Sequence, residues 1–369
     1  MRPVSELRTQ QLPTAPARGR HGTPLAAAVG MTPPSLSPTQ PALRTSLPLL
    51  AALLLASCGE TGDAGVLRAE QSWWVDDLVA SPCGRPDQPN VGGAPWGLAF
   101  GPDGELYLSE LFAGRFRVFS PSGQATASYG SCGMGDGQFD WPKYLDVHPD
   151  GWVFVADVRN YRIQKWSLDG EFVLAWGQLG SLPGEGGPAG LAVDPVRDEV
   201  YTLDAENHRV QVFDLDGLFL RAWGEEGTGE GQFDFFDLSQ GAEGGVAIGA
   251  DGSVYVVDHA NHRVQVFTPE GAFLRAFDGD GTTTLYHPSG IAVTSDGHVF
   301  VADEEQLWAF STLGTFLGRW VMGGERGGSA RCSGVQGGID VAEAPDGSLA
   351  VTQGRCVNFY RPEIPAGGP

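Results

Sequence analysis

The sequence predicts an all-β fold of repeated units, arranged as a propeller or a similar array, and three observations support this prediction. The heptapeptide NHRVQVF occurs at 207–213 and again 54 residues later at 261–267. A repeat of about 40–55 residues is typical of propellers. Each copy follows a short apolar run that ends in Asp and precedes a turn and another apolar run. The chain also holds 54 Gly and 26 Pro among 369 residues. Turn formers at this density indicate many short strands.

Six units can be aligned on the first strand of each, which carries a glycine-apolar-small-apolar pattern with some substitutions. The apolar anchors of this strand are Leu98, Leu145, Leu191, Val246, Ile291 and Ile339. In five of the six units an Asp-Gly dipeptide follows, between two apolar runs. This dipeptide is a strong hairpin signal because Gly takes a positive φ without strain.

The second predicted strand ends near an acidic residue, and in four units an arginine follows five residues later. These pairs are Glu110 with Arg115, Asp157 with Arg162, Asp204 with Arg209, and Asp258 with Arg263. Catalytic groups are usually unique, whereas these recur from unit to unit. We therefore expect structural pairs, in which the carboxylate fixes a loop and the guanidinium braces it through charge-assisted hydrogen bonds.

Six units of four strands resemble NHL-repeat β-propellers over about residues 94–361, most specifically in units three and four. The resemblance implies an all-β, six-bladed β-propeller of four-stranded antiparallel blades around a central channel. Unit six lacks a fourth strand, because Pro362 follows its third. We expect the segment 72–80, SWWVDDLVA, to supply that strand, so that an N-terminal strand closes the ring.

Residues 1–57 predict a signal peptide. The apolar segment 46–57 follows Arg44 and is shorter than the ~20 residues that span a bilayer, as is typical of an h-region. The sequence Leu-Ala-Ser-Cys at 55–58 resembles a bacterial lipobox, which implies cleavage before Cys58 and lipidation of its thiol. An ordinary signal peptide with an incidental Cys58 is the alternative. The n-region is over-long, so Met31 is an alternative start.

The remaining boundaries follow from this interpretation: a lipidated flexible tether at 58–70, the propeller at 71–361 and a disordered tail at 362–369. By resemblance to bacterial lipoproteins, the absence of Asp after Cys58 favours the outer membrane, with the propeller facing the periplasm or the cell surface. Five of the 23 basic residues and one of the 45 acidic residues precede Cys58, so 18 basic and 44 acidic residues remain. A net charge of −26 disfavours binding to nucleic acid, because phosphates require Lys and Arg. We expect a monomer that contacts the membrane only through its lipid.

Four further cysteines, Cys83, Cys132, Cys332 and Cys356, fit two disulfides in an exported protein. None forms a CxxC pair, which disfavours a zinc site. Three connectivities are open. In a propeller, the loops after outer strands open on one face. We therefore favour Cys83–Cys132 and Cys332–Cys356.

Asp146 and Asp340 occupy a first-strand position that holds Ala in the other four units. A carboxylate there is costly unless it is paired, hydrated or bound to a metal. One hypothesis is that the two acids help to hold a channel cation such as Ca²⁺. The favoured alternative is hydrogen bonding to the backbone of neighbouring blades. No other cofactor is predicted, and His208 and His262, which lie in the repeated motif, are expected to be structural, whereas His259 lies outside it.

The predicted function is a binding or scaffold module for a protein, peptide or glycan, because propellers present variable loops on a rigid disc. No catalytic residue is assigned, and neither a GxSxG nor an HExxH motif occurs. The alternative is a metal-dependent enzyme that uses the central channel, similar to the peptidyl-hydroxyglycine amidating lyases or the propeller lactonases.

Overall fold

The computed structural model describes residues 65–75, 78–79, 83, 91–237, 241–242, 244–323 and 340–364. They all belong to one compact unit, Glu60–Pro369. The predicted signal peptide, Cys58 and Cys332 lie outside the described residues. Within the described ranges, the only helical segments are three single 3-10 turns, at Val158–Asn160, Ala205–Asn207 and His259–Asn261.

The strands are numbered along the chain, and most of them form six blades. The N-terminal strands are β1 (Gly65–Arg68), β2 (Gln71–Trp74), β3 (Leu78–Val79) and β4 (Val91–Gly92). Blade one is β5 (Pro95–Phe100), β6 (Leu106–Glu110), β7 (Arg115–Phe119) and β8 (Ala125–Tyr129). After the short β9 (Ser131–Cys132) and β10 (Gln138–Phe139), blade two is β11 (Pro142–His148), β12 (Trp152–Asp157), β13 (Arg162–Ser167) and β14 (Phe172–Trp176). Blade three is β15 (Pro188–Asp194), β16 (Glu199–Asp204), β17 (Arg209–Asp214) and β18 (Phe219–Trp223).

The second half of the chain repeats this order. After the short β19 (Phe236–Asp237) and β20 (Gly241–Ala242), blade four is β21 (Val246–Ile248), β22 (Val254–Asp258), β23 (Arg263–Phe267) and β24 (Phe273–Phe277). Blade five is β25 (Pro288–Val293), β26 (His298–Asp303), β27 (Gln306–Ser311) and β28 (Phe316–Gly323). Blade six begins with β29 (Val341–Glu343), β30 (Leu349–Gln353) and β31 (Cys356–Tyr360). In every blade, consecutive strands pair antiparallel in chain order, as predicted.

The N-terminal strand β2 completes blade six. It pairs antiparallel with β31, with Gln71 opposite Phe359 and Trp74 opposite Cys356. The Trp73 ring is buried and lies 4.6 Å from the Phe359 ring and 6.5 Å from the Phe119 ring of blade one. The N-terminal closure of the ring is therefore confirmed, although the strand covers 71–74 and not the whole of 72–80.

The strand β1 was not anticipated from the sequence. Residues 65–68, predicted to belong to the tether, form β1, which pairs parallel with β28 and adds a fifth strand to blade five. The registers run from Gly65 opposite Trp320 to Arg68 opposite Gly323. Because β1 and β2 lie on neighbouring blades, the N-terminal segment crosses the boundary between blades five and six.

The core lies between the blades. The described residues form six clusters of buried apolar side chains, one at each boundary between neighbouring blades. At the boundary of blades one and two, for example, the rings of Phe116 and Trp166 meet edge to face at 5.5 Å. Middle strands such as β16 are buried on both sides, whereas outer strands such as β18 alternate between exposed and half-buried residues. A single blade leaves both faces exposed, and radial stacking covers them.

Candidate functional site

The antiparallel blades give the disc two different faces. The loops between second and third strands share one face with the connectors that link one blade to the next, and we call it the connector face. The tight turns between first and second strands, and between third and fourth strands, lie on the opposite face, which we call the hairpin face. Binding and catalytic residues often lie on loops that a rigid scaffold positions, so each face is a candidate site.

On the connector face, the acid-arginine pairs brace the loops. In blade four, the buried Asp258 accepts hydrogen bonds from Arg263 Nε at 2.7 Å, Gln265 Nε2 at 3.0 Å and the backbone N–H of Asp234 at 2.7 Å. Arg263 in turn donates to three carbonyl oxygens of the connector entering the blade, those of Thr228, Gly229 and Gln232. Burial raises the pKa of Asp258, and the bonds from Asp234 and Arg263 oppose that rise.

Other blades repeat this brace. The Nε–carboxylate distances are 2.9 Å for Arg162–Asp157 and 2.7 Å for Arg209–Asp204. In blade one the buried Glu110 lies 2.5 Å from the side chains of both Arg115 and Arg117. Because internal bonds occupy these carboxylates and guanidinium groups, they hold connectors in place and are not available for a ligand.

The repeated Asn-His dipeptides also serve the loops. Asn207 Nδ2 and Asn261 Nδ2 each donate to the acid at the end of the second strand. His208 and His262 follow with φ of 50° and 56°, a left-handed conformation that non-glycine residues adopt rarely. Tyr161 takes the same position in blade two, with φ of 54°. The position is therefore set by the turn and tolerates several side chains.

Three histidines meet at the boundary of blades four and five, which the sequence did not reveal. The ring centroids of His259 and His287 are 5.6 Å apart, and those of His262 and His287 are 6.2 Å apart. His259 is buried, and its Nδ1 lies 2.7 Å from the carbonyl oxygen of Pro288. Since a carbonyl can only accept, Nδ1 carries the proton. Its Nε2 is buried without a hydrogen-bond partner.

The two channel acids each bond to the next blade. Asp146 accepts the backbone N–H groups of Val147 and Val193, both at 2.8 Å, and Val193 lies in blade three. Asp340 accepts the N–H groups of Val341 at 3.0 Å and of Leu98 in blade one at 3.1 Å. Each carboxylate thus ties its own inner strand to the following one, which agrees with the favoured hydrogen-bonding alternative.

Burial dominates the electrostatics of these two acids. It raises the pKa of Asp146 to about 6 and that of Asp340 to about 7, while the backbone N–H donors oppose the rise. Repulsion from the Asp146 carboxylate adds to the shift of Asp340. Asp146 keeps some solvent contact, but protein surrounds its carboxylate, and the charged form is therefore poorly hydrated.

No three or more His, Cys, Asp or Glu side chains within the described ranges are arranged to hold a metal ion. No helix in the same ranges is both long and apolar enough to cross a membrane.

The disulfide framework lies near the closure of the ring. Cys83 and Cys132 are bonded, which ties the segment after β2 to the connector that leaves blade one. The Cys83 N–H also donates to the Phe112 carbonyl oxygen at 2.8 Å. Cys356 is disulfide-bonded as well, and its predicted partner Cys332 lies outside the described residues.

Exposed apolar side chains occur along the connector face. Each of the connectors 130–141, 177–187, 224–245 and 278–287 carries at least one in its described part. They are Met134 at 79% exposure, Leu179 at 62%, Leu182 at 63%, Phe236 at 44% and Tyr286 at 62%. A single exposed apolar residue is ordinary, and their recurrence in four connectors makes this face a candidate contact surface.

Comparison with known proteins agrees with this architecture. The sequence model of the NHL repeat matches residues 186–213, 244–267 and 285–306. No curated protein sequence matches the chain significantly. One similar solved structure is a streptogramin B lyase, with 13% sequence identity, a TM-score of 0.53, and an alignment that covers 79% of this chain and 97% of that chain. Another is a structural genomics protein of unknown function from Bacteroides thetaiotaomicron, with 16% identity, a TM-score of 0.53, and an alignment that covers 79% of this chain and 76% of that chain. Hydrazine synthase from Kuenenia stuttgartiensis is also similar, with 10% identity, a TM-score of 0.50, and an alignment that covers 74% of this chain and 97% of that chain.

At these identities the likeness concerns the fold alone. The matched segments are those that contain the braces of blades three and four and the three-histidine boundary. The chain therefore contains NHL repeats in its third to fifth blades and folds as a six-bladed β-propeller.

Proposed function

We propose that this chain is a cell-envelope lipoprotein whose propeller binds a polypeptide partner through the connector face. One observation carries the proposal: large apolar side chains project from each of four successive connectors, whose backbones the acid-arginine braces and the bonds to Asp303 hold in place. A rigid surface with apolar anchors can bind without a large ordering cost.

The lipid anchor is the second element of the proposal. It is supported by the apolar segment 46–57 and by the lipobox-like sequence that ends in Cys58. A lipidated N-terminus would hold the propeller at a membrane surface while leaving its loops free to contact a partner. The proposed site is the outer membrane, facing the periplasm or the cell surface.

The test compares the two faces of the purified propeller, residues 58–369. One variant replaces Met134, Leu182, Phe236 and Tyr286 by Ser, and the matched control replaces the exposed hairpin-face residues Val196, Leu218 and Leu313 by Ser. Each protein is immobilised and incubated with membrane extract under cross-linking conditions. We expect a stoichiometric cross-linked polypeptide with the wild type and the control that is lost with the connector-face variant. Equal capture by both variants would refute the assignment of the face.

A further inference from the structure

The connector face of blades four and five carries three exposed aromatic side chains, which we call the aromatic sector and define by Phe236, His262 and Tyr286. Phe236 lies in β19, which packs against the 3-10 turn His259–Asn261. His262 follows that turn, and its ring is parallel to the Tyr286 ring, with an interplanar angle of 6° and centroids 6.3 Å apart. All three side chains are exposed, so the sector presents ring faces and edges to solvent.

Acidic side chains border the aromatic sector on the loops that contribute to it and on the adjoining ones. The exposed acids of these segments are Glu206, Glu225, Glu226, Glu230, Asp278, Glu304 and Glu305. The arginines of the same described segments, Arg209 and Arg263, are only half-exposed, and their guanidinium groups donate to Asp204, Asp258 and connector carbonyls. The border is therefore negative, and local cations do not neutralise it.

Resting on the proposed polypeptide-binding function, we propose that the partner segment is cationic, with Arg or Lys side chains next to an apolar residue. An aromatic face attracts a guanidinium or ammonium group, and a neighbouring carboxylate adds a charge-assisted hydrogen bond. The apolar residue of the partner covers the remaining exposed area of Phe236. A neutral or acidic segment would gain only the last of these contacts.

Three fluorescein-labelled peptides of twelve residues test the partner's charge: four repeats of Arg-Leu-Ser, the same with Gln for Arg, and the same with Glu for Arg. Binding is measured by fluorescence anisotropy at 50 and 300 mM NaCl. The sector variants are Tyr286→Ser and the double variant Glu226→Gln, Glu230→Gln. The matched controls on the hairpin face are Leu313→Ser and the double variant Asp103→Asn, Asp169→Asn, which removes the same charge from exposed acids there.

We expect the Arg peptide to bind at least tenfold more tightly than the Gln peptide at 50 mM NaCl, and to weaken at 300 mM. Each sector variant should weaken binding of the Arg peptide about two- to fivefold, which is the usual contribution of an exposed cation–π contact or ion pair. The control variants should change this binding less than twofold. Equal effects of sector and control variants, or no binding of the Arg peptide, would overturn the inference. If the Gln peptide binds equally well and still requires Tyr286, the partner is not cationic, although the proposed binding function stands.

Discussion

Removing the Trp73 side chain should test whether the N-terminal strand holds the ring closed. Trp73 is 8% exposed and packs between Phe359 of blade six and Phe119 of blade one. A buried Trp removes about 150–250 Å² from water, and at about 25 cal/mol per Å² this corresponds to about 4–6 kcal/mol. Its indole N–H is buried without a hydrogen-bond partner, which costs about 1–3 kcal/mol and disappears with the ring.

The net loss expected for Trp73→Ala is therefore about 3 kcal/mol, which corresponds to a Tm lower by about 5 °C in a domain of this size. Trp73→Phe keeps most of the apolar contact and lacks the unpartnered N–H, so we expect it to stay within about 1 kcal/mol of the wild type. The control is Leu313→Ala, because the Leu313 side chain is 77% exposed. This substitution should change the free energy of unfolding by about 0.5 kcal/mol or less.

Urea denaturation followed by tryptophan fluorescence and circular dichroism measures these differences, with calorimetry for Tm. The reasoning fails if Trp73→Ala is as stable as Leu313→Ala, because the strand would then not anchor blade six. It also fails if Trp73→Phe is as damaging as Trp73→Ala, because the loss would not follow from buried apolar area.

Four further predictions concern other parts of the chain. Asp258→Asn removes the charge that three side chains share, and should lower the free energy of unfolding by about 3 kcal/mol in urea, with an unchanged value counting against the brace. Because the folded state binds the proton of Asp340 more tightly than the unfolded chain does, stability should fall by up to about 4 kcal/mol as pH rises from about 4 to 7. Asp340→Asn should reduce that slope in pH-dependent denaturation, with a remainder from Asp146, and an unchanged slope would contradict the raised pKa of Asp340. Replacing both Cys83 and Cys132 by Ser removes a disulfide between residues 49 positions apart in the chain. The free energy of unfolding, measured by calorimetry, should fall by about 2–4 kcal/mol. Cys58→Ser should abolish labelling by radioactive palmitate and move the protein from the membrane to the soluble fraction, and a wild type that takes up no label, or a variant that keeps it, would remove the lipid-anchor proposal.

The sequence predicted most of the blades because each unit repeats the same information. The acid and arginine of blade four recur in blade three at the same spacing, and a structural role could be inferred from that recurrence. The ring closure could also be anticipated, because unit six lacked a strand and an unassigned aromatic segment preceded unit one. Both inferences use the repeat as an internal comparison.

The features that the sequence did not reveal have no counterpart in the repeat. β1 is four residues long and pairs parallel at an edge, where neither alternation nor a turn marks it. The histidine cluster joins His259 and His287, which are far apart in the chain and adjacent only through the packing of blades four and five. For Asp146 and Asp340, the pattern showed an unusual residue, but the donors on Val193 and Leu98 depend on the order of blades around the ring.

The pairing of β2 with β31 joins one of the first segments of the propeller to the last, with Gln71 opposite Phe359. During synthesis the N-terminal segment emerges first and must wait for nearly three hundred residues before its partner exists. Contacts so distant along the chain form late and slowly. Until β31 is available, β2 has no strand to pair with and the Trp73 indole lacks its Phe359 neighbour, so the unclosed chain is vulnerable to aggregation and proteolysis at that stage. Closure of the ring is therefore expected to be a late step in the folding of this protein.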